Sequence, residues 1–350
     1  MRIACWQAAL VGLAACATPV SPPPEAPTLA ASIEGAAVPK PAGPVRSAPA
    51  RLAVPPLVQD QDYSPSGMFG RTHGEFMAGA FRYRPEVTAT YLQQQDANVQ
   101  NEDGHFDLDH FRFDAQVPAP VSPDTFLIVG GTFDARDYDF SDNVSGAFDE
   151  ELFQAGLHLG FGTFFEDHDD FLLTGVFSPG VYSDLDGGLH SRDWKFFGEV
   201  LGTWRSQEDL FFKLGVMHSE DFRDANVLPL LGMSWRITPS VRFDTLLPKY
   251  IELSWSATER TIVHAGVDLE GEQYRVRSSV ATGKQMFDVQ TQEIRARLGL
   301  IQRFNDNFSL FADVGTNVAG DYKWRDTTGA TYDGTLRPEI FLHVGVGIDF

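Results

Sequence analysis

The stretch that decides the fold is "FLHVGVGIDF", Phe341 to Phe350. Its apolar residues fall at every second position, Leu342, Val344, Val346, Ile348 and Phe350, so the alternation runs to the last residue. A period of two marks a strand with two unlike faces, whereas the ends of soluble domains are usually polar and poorly ordered. The spacing predicts a strand held in a sheet to its end. A strand that closes a barrel in lipid meets that condition, because an open edge there would leave backbone donors and acceptors unpaired.

Working outward, the composition is compatible with such a barrel. The 350 residues include 28 Phe and 32 Gly, and 27 basic against 48 acidic residues give a formal charge of −21. That acidity excludes a role on nucleic acid, which calls for a basic footprint. No apolar run of 18 or more residues follows the first segment, which excludes a helical membrane span. Barrel strands remain, since their alternation averages to modest hydropathy.

The N-terminal segment reads as an export signal, with Met1-Arg2 followed by a short apolar region from Ala4 to Ala15. Within it, Leu13-Ala14-Ala15-Cys16 resembles a bacterial lipobox, in which Cys16 would carry the lipid. Cleavage after Ala17, as in an ordinary secretory signal, is the alternative. Residues 17–57 hold 11 of the 21 prolines, a composition that favours an extended, disordered leader. The expected organisation is signal peptide 1–16, proline-rich linker 17–64 and β-barrel 65–350. Both cysteines, Cys5 and Cys16, fall in the signal, so no internal disulfide is expected.

After Gly74 the chain breaks into alternating segments separated by two kinds of connection. Short ones are Pro118 to Pro123, Glu166 to Asp170, Ser206 to Asp209, Thr238 to Ser240, Ala257 to Arg260 and Asn305 to Asn307. Long ones are Pro85 to Gly104, Asp139 to Glu150, Tyr182 to Arg192, Ser219 to Asn226, Ser278 to Gln285 and Asp321 to Thr335. Short turns on one rim and long loops on the other are the pattern of an outer-membrane barrel. The alternation of rims fails only at "VRFDTLLPKYIELSWS", where Pro248 marks the tip of a short hairpin or an irregular stretch. The fold expected is an all-β, transmembrane antiparallel barrel of fourteen strands in the first case and twelve in the second.

The two faces separate cleanly in "DWKFFGEVLGTWR", where Trp194, Phe196, Val200 and Trp204 oppose Asp193, Lys195, Glu199 and Arg205. In "QEIRARLGLI", Ile294, Ala296, Leu298 and Leu300 oppose Glu293, Arg295 and Arg297. Trp204, Trp235 and Trp255 lie near short turns, as expected of rings at a membrane interface.

The ending resembles the C-terminal signal of bacterial outer-membrane proteins, with Phe350, Ile348, Val346, Val344 and Leu342 in the matching positions. That resemblance implies the barrel assembly machinery as a partner. Two further stretches, "FDLDHFRFDAQVPAPVSPDTFLIVGG" and "SWRITPSVRFDTLLPKYIELSWSATERTIVHAGVDLEGEQYRV", resemble a bacterial outer-membrane β-barrel family catalogued as a domain of unknown function. The resemblance implies fold and an outer-membrane location among lipid and lipopolysaccharide, and it brings no activity, cofactor or site residues.

Charges expected to face the lumen are Lys195, Glu199, Lys213, Glu293, Arg295, Arg297, Asp313 and His343, together with Arg205, Glu252, His264, Asp268 and Asp349. They could line a pore and tune its selectivity, or fill a closed lumen with ion pairs. His158 and His343 fall on inward faces and His190 sits beside Ser191 in a loop, with no Ser/His/Asp convergence to suggest catalysis. No His/Cys cluster for a metal and no phosphate-binding loop is found, so no cofactor is expected. Passive transport or envelope structure is the function expected. The alternatives are a soluble periplasmic binding lipoprotein and a barrel enzyme using His190 or Ser191.

Overall fold

The structure, a computed structural model, describes residue 73 and residues 76–81, 86–98, 105–140, 150–165, 168–185, 188–220, 227–278, 285–325 and 331–349. The export signal with Cys16, the proline-rich leader and Phe350 lie outside the described residues. The described strands are β1 (Val87–Asn98), β2 (His105–Ser122), β3 (Thr125–Phe140), β4 (Glu150–Phe165), β5 (His168–Ser183), β6 (Trp194–Gln207), β7 (Leu210–His218) and β8 (Val227–Thr238). They continue as β9 (Val241–Leu247), β10 (Tyr250–Ser256), β11 (Thr261–Ser278), β12 (Gln285–Arg303), β13 (Phe308–Arg325), β14 (Thr331–Leu336) and β15 (Ile340–Ile348).

Successive strands pair antiparallel, and β1 pairs with β15 from Val87 opposite Ile348 to Gln94 opposite Phe341, which closes the sheet. β14 and β15 both lie along β13 in a single register, with Thr331 opposite Arg325 and Ile348 opposite Phe308. They are halves of one stave, interrupted at Arg337-Pro338-Glu339, so the wall has fourteen staves. The Pro248 hairpin is present as β9 and β10, which decides between the two strand counts.

Two local expectations are corrected. Pro85 to Gly104 is not one long connection, because Val87–Asn98 is a wall strand paired on both sides. Its period is blurred in sequence by the run Gln93-Gln94-Gln95, which puts Gln on both faces. The Pro118 to Pro123 turn is displaced to Pro123-Asp124, and β2 carries Pro118 and Pro120 within it. Below Ala115 the β1 side of β2 has no paired strand, so prolines without an N–H are tolerated on that edge.

Short turns at 123–124, 208–209, 239–240, 257–260 and 304–307 lie on one rim, the periplasmic rim by the usual asymmetry of such barrels. Outward faces carry large exposed apolar side chains, among them Leu157, Val200, Leu214, Leu253, Leu298 and Val314. The inward neighbours on the same strands are buried and often charged. An apolar belt of this extent around a closed antiparallel wall is the form in which strands cross an outer membrane. The protein spans the bacterial outer membrane in this way, with Trp204, Trp235 and Trp255 exposed toward the short-turn rim. No described helix is long and apolar enough to cross a membrane.

The abundance of Phe and Gly has a joint cause. Phe126 faces Gly162, Phe161 faces Gly175, Phe341 faces Gly315 and Phe311 faces Gly345 on adjacent strands. A Cβ on Gly162 would lie 2.1 Å from the Phe126 ring, and one on Gly345 2.3 Å from the Phe311 ring. Each ring lies over its neighbour's bare backbone, an arrangement that covers glycine in strongly curved sheets.

The wall is uneven. β11, β12 and β13 have 18, 19 and 18 residues, whereas β9 and β10 have 7 each. At about 3.3 Å per residue and a tilt of about 40°, seven residues rise about 18 Å, less than the apolar band of about 25 Å. Above this low sector the end of β5 reaches β11, with Ser183 beside Arg275 in parallel pairing and Asp184 N–H donating to the Arg275 carbonyl at 3.3 Å. The outer end of the barrel is thereby reduced to nine staves, running from β11 through β13, the β14/β15 stave and β1 to β5.

Candidate functional site

The candidate site is the lumen, built in three layers. At the outer end the inward faces of eight of the nine staves meet in one apolar core containing Leu92, Leu108, Tyr138, Leu152, Tyr182, Tyr274, Val276, Val289, Leu336 and Phe341. A ring of about eight strands has an interior just wide enough for side chains to fill, so narrowing the barrel to nine staves brings these residues together in one packed cluster. Tyr182 and Tyr274 make ring contact at 5.8 Å directly beside the β5–β11 bridge.

Below this core lie charges from opposite walls. Arg136 of β3 donates to Asp134 at 3.1 Å and reaches Glu272 of β11 at 2.5 Å. His110 contacts Asp134 at 2.7 Å, and the Tyr274 hydroxyl donates to Glu272 at 2.5 Å. Arg295 is held by Glu293 at 2.8 Å and Glu270 at 2.5 Å. A second group centres on Arg297, which contacts Asp268, Glu252 and Asp313 at 2.5, 2.8 and 3.4 Å. Asp313 also meets His264 at 3.0 Å and His343 at 2.9 Å. Gly299 makes room for that group, since a Cβ there would lie 1.7 Å from Asp313 Oδ1 and 2.4 Å from His264 Nε2.

The periplasmic end is occupied by the chain itself. Residues 76–80 form one helical turn inside the barrel, with Phe81 N–H donating to the Met77 carbonyl at 3.1 Å. His73 marks the rim, where its ring stacks on Phe164 at 3.9 Å and its Nδ1 lies 3.1 Å from the Pro123 carbonyl. Phe76 is fully buried and meets Phe164 and Phe211 edge-on at 5.2 and 5.1 Å, beneath the Arg205 guanidinium at 5.2 Å. The last carbonyls of a helical turn lack partners of their own. Here Arg242 donates to the Ala78 carbonyl at 2.9 Å and Ser234 to the Ala80 carbonyl at 2.7 Å.

Asp244 organises these donors. It accepts from Lys213 at 3.0 Å, Arg242 at 2.8 Å and Tyr250 at 2.9 Å, and lies 2.8 Å from the Ser234 hydroxyl, whose single proton it shares with the Ala80 carbonyl as alternative acceptors. Lys213 and Asp244 are both almost wholly buried, so the carboxylate neutralises an ammonium that could not otherwise be accommodated there.

Of the charges singled out in the sequence, the structure brings Glu252, His264, Asp268, Arg297, Asp313 and His343 into one group and Glu293 and Arg295 into another. Lys213 belongs to the periplasmic layer, Glu199 pairs with Lys249, and Lys195 lies 3.9 Å from Glu220. Asp349 lies at the strand end, accepting from the Glu86 N–H at 3.2 Å. Leu342, Val346 and Ile348 of the terminal alternation are exposed on the outer face, with Val344 partly exposed. His158 bonds Ser178 at 2.7 Å, whereas His190 and Ser191 are exposed on the β5–β6 connection. Among the described residues no group of three His, Cys, Asp or Glu is placed to hold a metal ion.

The sequence reading missed the inserted segment and its receptors Ser234, Arg242 and Asp244. A signal was present in "EFMAGAF", where Phe76, Met77, Ala80 and Phe81 recur at one-, four- and five-residue spacing, the helical pattern rather than the strand pattern.

No family model matches the chain, and no curated protein matches it either. Solved structures are similar at low identity. The translocator domain of the autotransporter NalP from Neisseria meningitidis is 14% identical, over 83% of this chain and 99% of that one, with a TM-score of 0.34. An outer membrane channel from Pseudomonas putida F1 is 10% identical, over 76% of this chain and 96% of that one, with a TM-score of 0.40. The KdgM porin is 10% identical, over 75% and 99%, with a TM-score of 0.29.

Proposed function

We propose that this outer-membrane β-barrel is a non-catalytic passive conduit in a closed state, whose periplasmic mouth is shut by His73 and residues 76–81. The observation that carries the reading is the way the segment is held. It adds no strand to the wall and is retained by ring contacts and two side-chain hydrogen bonds to its carbonyls. Such contacts can be broken without opening the sheet. The route left by its departure would run along the β6–β10 flank, since the outer core under the β5–β11 bridge is apolar and packed.

The test is current through a planar bilayer. The full chain is expected to give no discrete steps, and a chain lacking residues 73–81 is expected to give salt-dependent ones. A second reading, a permanently filled barrel that serves as an envelope element, is favoured by the nine-stave apolar core. Silence from the deleted chain, once heat-dependent gel mobility has shown it folded, would overturn the conduit and leave that second reading.

A further inference from the structure

The innermost described residue of the inserted segment, Phe81, reaches a place unlike the rest of the lumen. Leu201, Met217, Leu230 and Leu246, all nearly or fully buried, form an apolar cluster there, with Phe197, Leu228 and Tyr250 packed around it. Phe81 packs against this cluster and also against the one that holds Phe76. The Lys213 ammonium lies 5.3 Å from the centre of the Phe81 ring. A cation over a ring face favours an aromatic occupant over an aliphatic one of equal size.

The position of the pocket matters as much as its lining. Leu246 stands beside the tip of the β9–β10 hairpin, where the wall is lowest. Lys249 of that tip turns inward, pairing with Glu199 and lying over the Phe197 ring at 5.0 Å. The pocket therefore lies between the seat of the inserted segment and the low rim, on the flank that the proposed conduit would follow.

We propose that the Phe81 pocket is a binding site for a small neutral aromatic molecule, and that such a molecule, by taking the place of the Phe81 ring, releases residues 76–81 from the periplasmic mouth. The inference rests on the conduit reading for its consequence, and on the pocket for its ligand. Phe81 supplies the template, one ring set among leucines, a methionine and other aromatic rings with one ammonium at its face. A ligand that binds only when Phe81 is out shifts the segment toward its released state by its own binding free energy.

The test reads release directly. In the full chain carrying Cys5→Ser and Cys16→Ser, Ala78→Cys places the one thiol on the buried turn, and its reaction with a water-soluble maleimide reports exposure. Toluene is expected to speed that reaction by about tenfold or more, and hexane much less. Phe81→Ala is expected to give fast reaction without any ligand. Equal acceleration by toluene and hexane would overturn the aromatic preference. No acceleration by toluene, with Phe81→Ala fast, would overturn the ligand site while leaving the bilayer test of the conduit untouched. Slow reaction in Phe81→Ala, with gel mobility showing a folded barrel, would overturn the role of Phe81 as the anchor.

Discussion

Asp244 shows how much one residue can carry in this lumen. Three donors, Lys213, Arg242 and Tyr250, converge on it beside the Ser234 hydroxyl, and Arg242 and Ser234 also reach the inserted turn. Replacing it by Ala removes the carboxylate against which the Lys213 ammonium is buried, a loss expected to cost about 3–5 kcal/mol. Urea unfolding in lipid vesicles should show the drop, and Lys213→Met in the same chain should recover most of it. Inward and outward residues could be told apart from the sequence because the side-chain period is two. The partners could not, because contacts such as Arg136 with Glu272 join strands distant in the sheet and depend on how the barrel narrows.

At the scale of elements, the hairpin around Pro248 was legible as one of two alternatives, since proline is confined to edges and tips. The inserted turn left only the spacing of Phe76, Met77, Ala80 and Phe81 as a signal, and one helical turn is too short for that spacing to place it inside the barrel. Its hold on the wall is open to a graded test. Arg242→Gln removes the charged donor to the Ala78 carbonyl, a bond worth about 1.5–3 kcal/mol when made by a charged group. The full chain with this change should show brief current steps in a bilayer, rarer than those of the chain lacking residues 73–81. Steps absent from Arg242→Gln but present after deletion would assign the hold to the rings of Phe76 and Phe81 instead.

The molecule as a whole is a barrel whose interior is divided by kind. Apolar side chains fill the outer end, ion pairs the middle, and the chain's own N-terminal side the periplasmic end. Most of those pairs are shielded from solvent, and buried pairs are screened little by salt. The thermal midpoint of unfolding in vesicles should therefore move little between about 0.1 and 1 M salt. A large fall would place water and counterions among the pairs and argue for a wetter lumen. The net charge of −21 cannot be used to read this, because it sums loops, leader and lumen alike.

The short β9–β10 hairpin also bears on the lipid outside. On that flank the wall rises about 7 Å less than the apolar band that a typical barrel presents, while the flank of β11–β13 is taller than the band. A bilayer meeting both must thin on one side, or the barrel must lean, at a cost of a fraction of a kcal/mol for each ångström of mismatch. The acyl chains beside Leu247 and Ile251 are the ones affected. The protein thus marks one point on its circumference where wall and bilayer are mismatched in height.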